Sequence, residues 1–164
     1  MDMYVCPVER GAFEITQRPG ENPEYYAKYG LAGHNGIDFA PRPKGRRAPC
    51  YAPHEGYVQV LDDGNVGYGK HVIIISEPYN REGHRKHSTL AHLASFNVVN
   101  GQWIGTSDLI GIIGNTGDSS GPHLHWTPRK CERNGGIIDY NNGLKGVIKD
   151  ALRFTRPLLT EPIQ

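Results

Sequence analysis

The strongest pattern in the chain is the apolar, β-branched run Val72-Ile73-Ile74-Ile75 within residues 71–76, which predicts a strand buried on both faces. Residues 57–61 form a second β-rich run, closed by the turn sequence Asp62-Asp63-Gly64-Asn65. Residues 88–93, 109–113 and 123–127 are further strand candidates, and the polar, charged stretch 78–87 reads as an exposed loop. Residues 1–33 read as a lead-in with one short helix around residues 24–29, stopped by Gly30. Past Pro128 the pattern changes. Residues 131–142 are loop-like, Leu144, Val147, Ile148, Ala151 and Leu152 recur at helical spacing, and Pro157 and Pro162 are expected to end regular structure. The predicted fold is mainly β, an antiparallel sheet core with a short C-terminal helical extension.

Composition sharpens this picture. Twenty-one glycines and 12 prolines in 164 residues disfavour long helices and favour a turn-rich β fold. Eighteen basic against 17 acidic side chains leave a net charge of +1, without the basic excess a nucleic-acid binder needs. No apolar run reaches the roughly 18–20 residues that span a bilayer, so neither nucleic acid nor membrane is an expected partner. Residues 1–10 lack the basic start and apolar stretch of a secretory signal. Export is therefore expected either to bypass a signal or to follow its removal. Cys6, Cys50 and Cys131 form no C-x-x-C pair, and all three are expected to be reduced.

Eight histidines carry the candidate chemistry. In Pro122-His123-Leu124-His125-Trp126, strand alternation would put both histidines on one face, as a metal-and-catalysis pair or simply as two exposed side chains. In His34-Asn35-Gly36-Ile37-Asp38, Asn35-Gly36 is a poor helix interior. A flat strand would hold the Cα atoms of His34 and Asp38 about 13 Å apart. A bend at Gly36 would let both reach one ion; the plain alternative is a turn with a capping aspartate. Catalytic zinc takes three protein ligands and an open position, and His34, Asp38 and one histidine of the pair supply suitable donors. His92, in Thr89-Leu90-Ala91-His92-Leu93, either completes the site or packs at a strand end. His54 and His71 read as structural, and His84 and His87 as part of a solvated face with Arg81, Arg85 and Lys86. The basic cluster Arg42, Lys44, Arg46 and Arg47, broken by Pro41, Pro43 and Gly45, reads as an exposed loop.

These elements together resemble the M23 (LytM/lysostaphin-type) zinc peptidases, which cleave peptide bonds in bacterial peptidoglycan. The H-x-G-x-D element is His34 to Asp38, and the Y-A-P-x-x-G-x-V element is Tyr51 to Val58. Gly67-Tyr68-Gly69, His92-Leu93 and Val99-Asn100-Gly101-Gln102 follow in the family's order, the last with one residue fewer in its spacing. The series closes with Ile110 to Gly117 and with Gly121-Pro122-His123-Leu124-His125. The likeness runs from Gly33 to Trp126 and implies a single peptidase domain: lead-in 1–32, catalytic core 33–128 and extension 129–164. It implies that His34, Asp38 and His125 bind Zn2+ and that His92 and His123 are the two non-ligand catalytic histidines. The implied activity is that of a zinc endopeptidase acting on wall peptides, as a monomer unless built into a virion. Leu90 departs from the family, which often has tyrosine two residues before the catalytic histidine. Lack of a signal segment in a compact chain suits a phage lysin or a processed secreted enzyme. A virion structural component, or a non-catalytic module that binds the wall or activates another enzyme, is the alternative. The second would be expected to have lost metal ligands, and here all three are kept. A wall carboxypeptidase of another type would need an E-x-x-H element, which the sequence lacks.

Overall fold

A computed structural model of the chain describes residues 3–9 and 11–158. Its strands are β1 (Tyr4–Glu9), β2 (Phe13–Gln17), β3 (Ile37–Pro41), β4 (Pro49–Tyr51), β5 (Gly56–Asp62), β6 (Lys70–Pro78), β7 (Arg85–Phe96), β8 (Trp103–Ile104), β9 (Leu109–Ile113), β10 (Leu124–Cys131) and β11 (Thr155–Leu158). One helical turn, α1 (Pro23–Tyr26), runs into a 3-10 turn over Ala27–Tyr29, and a second 3-10 turn covers Ala151–Phe154. The mainly β, antiparallel expectation holds.

Nine strands form one sheet along the path β2-β3-β10-β7-β6-β5-β8, with β9 bonded to both β7 and β4. All its pairings are antiparallel. The β-branched run lies in β6, but its burial alternates: Val72 and Ile74 are buried whereas Ile73 and Ile75 are half-buried. One face of this strand is therefore only partly covered, contrary to the expectation from the continuous run. Leu90 in β7 lies between Val72 of β6 and Trp126 of β10, and all three are fully buried. The position where the family often carries tyrosine is thus a core position here. Burying a side chain such as Leu90 or Ile74 stabilises the fold by about 1.5–3 kcal/mol each.

The chain ends differ from the expectation. The lead-in is not merely a lead-in: β2 adds to the main sheet beside β3, and β1 pairs in parallel with β11. Tyr4 of β1 stacks edge-on against Trp126, with ring centroids 5.3 Å apart. The short helix does appear, and Gly30 closes it in the left-handed conformation (φ 71°). The helix expected from Leu144 onward does not form before Ala151. Lys145 (φ 53°) and Gly146 (φ 84°) turn the chain inside that window, so its apolar spacing reports burial of Leu144, Val147 and Ala151 rather than helicity. Pro157 lies inside β11 rather than ending regular structure; Pro162 falls outside the described residues. The 78–87 loop is shorter than expected, because β6 continues to Pro78 and β7 begins at Arg85. Among the described residues no helix is long and apolar enough to cross a membrane. All three cysteines are free thiols. Burial pushes the Cys50 thiol up to about 12, which leaves it inert as a nucleophile.

Candidate metal centre and active-site cavity

β3 and β10 are neighbours, and their register sets His125 directly opposite Asp38. His34 precedes β3, and the chain between them brings its imidazole onto the same point. His34 Nε2 lies 3.2 Å from Asp38 Oδ2 and 3.1 Å from His125 Nδ1. His125 Nδ1 lies 2.9 Å from Asp38 Oδ1. The three donor atoms fall within 4.8 Å of one another, and all three residues are buried. Gly36 permits this arrangement by its size. A Cβ there would stand 2.7 Å from the His125 ring and 2.6 Å from the Trp126 carbonyl oxygen. Its backbone is not left-handed, so the expected bend reflects a close approach rather than a φ that only glycine tolerates.

Burial pushes the Asp38 carboxyl up, but hydrogen bonds from His125 and His34 outweigh it and hold the group well below the usual carboxylate range. Asp38 is therefore an anion, flanked by two imidazole nitrogens. Burial lowers the pKa of His125, against the opposing effect of its bond to Asp38. The outward nitrogen of His125, Nε2, sits 2.8 Å from the Thr127 hydroxyl, which is itself fully buried. If a cation took the place of the proton between His125 Nδ1 and Asp38, Nε2–H would donate to Thr127 Oγ1 and the Nδ1 lone pair would face the ion. Two nitrogens and a carboxylate converging on one point is the donor set that suits zinc with three protein ligands. The outward Nδ1 of His34 has no hydrogen-bond partner among the described residues. Thr127 was not singled out by the sequence; the signal, a hydroxyl two residues past a candidate ligand on the same strand face, was present.

His92 and His123 stand beside this cluster with ring centroids 4.8 Å apart. His123 lies one residue before β10 rather than in the strand, yet both histidines of H-x-H face Asp38 Oδ1 and the same cavity, in line with the one-face expectation. Its Nδ1 donates to the Gly121 carbonyl at 2.8 Å, with Ser119 Oγ at 3.1 Å, which leaves Nε2 turned to Asp38 Oδ1 at 3.7 Å. His92 sits where β7 stops pairing with β10 and turns to β9. The register slips there, and His92 takes a left-handed backbone (φ 65°). Such bulges re-aim side chains, and a histidine held there is strained. His92 Nδ1 donates to the Thr116 carbonyl at 2.7 Å, so its Nε2 also carries the free lone pair. Burial, then the His125 and His123 rings, lower its pKa to about 4.

All five residues line one cavity of about 750 Å³. His54, His71, His84 and His87 do not line it. His54 is instead a core residue, its Nδ1 donating to the Glu55 carbonyl and its Nε2 accepting from Ser88 Oγ.

The sequence profile of peptidase family M23 matches residues 32–139, about two thirds of the chain and the stretch that carries this whole cluster. The chain belongs to peptidase family M23. The peptidoglycan DD-endopeptidase ShyA of Vibrio cholerae is 35% identical over 96 residues, which are 58% of this chain and 20% of ShyA. Across the curated relatives, the matched stretch spans only 18–20% of their length. Among solved M23 structures, the catalytic domain of a mutant of the prophage-encoded M23 protein EnpA from Enterococcus faecalis aligns with a TM-score of 0.59 and 26% identity. That alignment covers 83% of this chain and 97% of that catalytic domain. A zinc-containing peptidase from Vibrio cholerae aligns with a TM-score of 0.61 and 26% identity, over 84% of this chain and 39% of the other.

Proposed function

We propose that this M23 chain is a zinc-dependent endopeptidase that hydrolyses peptide bonds in bacterial peptidoglycan, residues 33–128 being its catalytic core. The observation that carries the reading is the convergence of His34 Nε2, Asp38 and His125 Nδ1 within 4.8 Å beside two further imidazoles with inward lone pairs. A relative named as a peptidoglycan endopeptidase supports the substrate class, and a zinc-containing neighbour supports the metal. Action on the wall, by a chain that reaches it as a lysin or as an exported enzyme, follows from that substrate. The likeness to a prophage-encoded domain favours the lysin.

His34, Asp38 and His125 would hold Zn2+, which when bound polarises a scissile carbonyl and brings the pKa of a water toward about 7. The protein's own contribution is proton handling. His123 and His92 each commit Nδ1 to a backbone carbonyl, so each offers Nε2 as a base. The two rings stand 4.8 Å apart, side by side on the cavity. His123, nearer Asp38, takes the proton from the attacking water. That proton, passed on to His92 Nε2, would then be donated toward the developing oxyanion and finally to the leaving amine as the C–N bond breaks.

The test is digestion of purified peptidoglycan from Gram-positive and Gram-negative sources by the zinc-loaded chain, with fragments identified by mass spectrometry. New peptide termini that vanish in His123→Ala and His92→Ala variants retaining one zinc per chain are expected. No release from either wall with zinc bound would overturn the enzyme reading and leave a wall-binding or structural module.

A further inference from the structure

The wall of the cavity facing the metal cluster is built from α1 and the 3-10 turn after it, which present Tyr25, Tyr26 and Tyr29. Tyr25 and Tyr29 are 52% and 42% exposed, far more than a core requires. Their rings already hold an ammonium group: Lys28 Nζ lies 4.2 Å from the Tyr25 centroid and 5.1 Å from the Tyr29 centroid. Across the cavity stands the loop that carries His123's partner Ser119, and on it Asp118 accepts a hydrogen bond from the Tyr29 hydroxyl. Apart from Asp38, Asp118 is the one carboxylate among the cavity's described lining residues. No lysine, arginine or histidine among the described residues lies within 4.0 Å of it. Its backbone is fixed by an N–H bond to the Gly67 carbonyl, so the carboxylate has a set position on the rim.

From this we infer that Asp118 and Tyr29 form a subsite for a protonated amine on the substrate peptide. The inference rests on the peptidase reading and narrows its substrate to amine-bearing peptides. A carboxylate with no cation within 4.0 Å, beside aromatic rings that already hold the Lys28 ammonium, gives a second ammonium ion a charged acceptor against a wall suited to such a group. In the free protein the Tyr29 hydroxyl satisfies Asp118. An arriving ammonium group replaces that neutral donor with a charged one, and the freed phenol offers its ring as a second wall. The exchange acts as a latch. It closes the rim when no amine is present and selects peptides whose amine lies one subsite from the cut bond.

Two peptides of the same sequence, one with a free side-chain amine and one with that amine acetylated, separate this from a purely structural clasp. The zinc-loaded chain should cleave the free amine form with a kcat/KM about fivefold higher at low salt, the size expected of one partly screened ion pair. The preference should shrink toward unity as salt rises. Asp118→Asn should abolish it by lowering kcat/KM on the free amine peptide alone. Tyr29→Phe should keep or increase it, because the competing hydroxyl is gone. Equal loss on both peptides in both variants would show a structural clasp and overturn the subsite. If the parent chain cut neither peptide, the same pair would be compared as ligands by calorimetry. A preference for the free amine lost in Asp118→Asn would then uphold the subsite while the peptidase reading failed, and equal binding would overturn both.

Discussion

The residues that face the metal cluster are held by partners whose removal has defined effects. With a metal bound, Thr127 would take the Nε2–H of His125 and so keep the Nδ1 lone pair turned inward. Outer hydrogen bonds of this kind are worth about 10–100-fold in metal affinity. Because the outward nitrogen of His34 has no such partner, the His125–Thr127 bond bears that task alone among the described residues. Thr127→Val, which keeps the shape and deletes the hydroxyl, should weaken zinc binding at least tenfold in a chelator competition. Thr127→Ser should restore it, and unchanged affinity in the valine variant would refute the role. Gly36→Ala should be more damaging, since its methyl would lie 2.7 Å from the His125 ring. We expect a chain that folds but binds less than one zinc by metal analysis. The candidate ligand and histidine positions were legible because each element carries its chemistry within a few residues. Thr127 and the true reason for Gly36 were not, because both depend on what another strand brings against them.

At the level of elements, β7 and β1 flank His54, and β7 itself carries His87, two histidines whose protonation the fold resists. Burial lowers His54 to about 4, against an ordinary value near 6.5, and burial followed by the Arg129 charge does the same to His87. The unfolded chain therefore binds more protons than the folded one between those values. Stability is intact above about pH 6.5 and is lost as pH falls toward 4, at up to about 1.4 kcal/mol per pH unit for each histidine. Denaturant unfolding of chelator-treated protein at pH 7.5 and pH 5 should show this fall, and His54→Gln should flatten it. Identical pH slopes for parent and variant would exclude His54 as a source. The central strands were readable from β-branched runs bounded by turn residues. β1, β2 and β11 were not, because their stability comes from partners far along the chain: β1 from β11, and β2 from β3. The apolar spacing after Leu144 misled for the opposite reason. It recorded which residues face the core, while Lys145 and Gly146 decided the path of the backbone.

For the molecule as a whole, the candidate metal site ties β3 to β10 and to the segment before β3, so an ion that binds it only in the folded form should stabilise the fold by mass action. Excess chelator should lower the melting temperature, and zinc should restore it in a concentration-dependent way. A melting temperature indifferent to both would argue against a folded-state site. The long β7 adds a different property. It bonds to β10, β6 and β9 along its twelve residues, so it cannot come away at a free edge as β2 or β8 can. Amide hydrogen exchange should accordingly be slowest at Leu90 and Ala91 and fastest in the α1 turn. The protein would then open from the tyrosine-lined rim of its cavity while the floor that carries His92 stays shut, so that, on the proposed peptidase reading, peptides could be exchanged without loosening the strand beneath the cut.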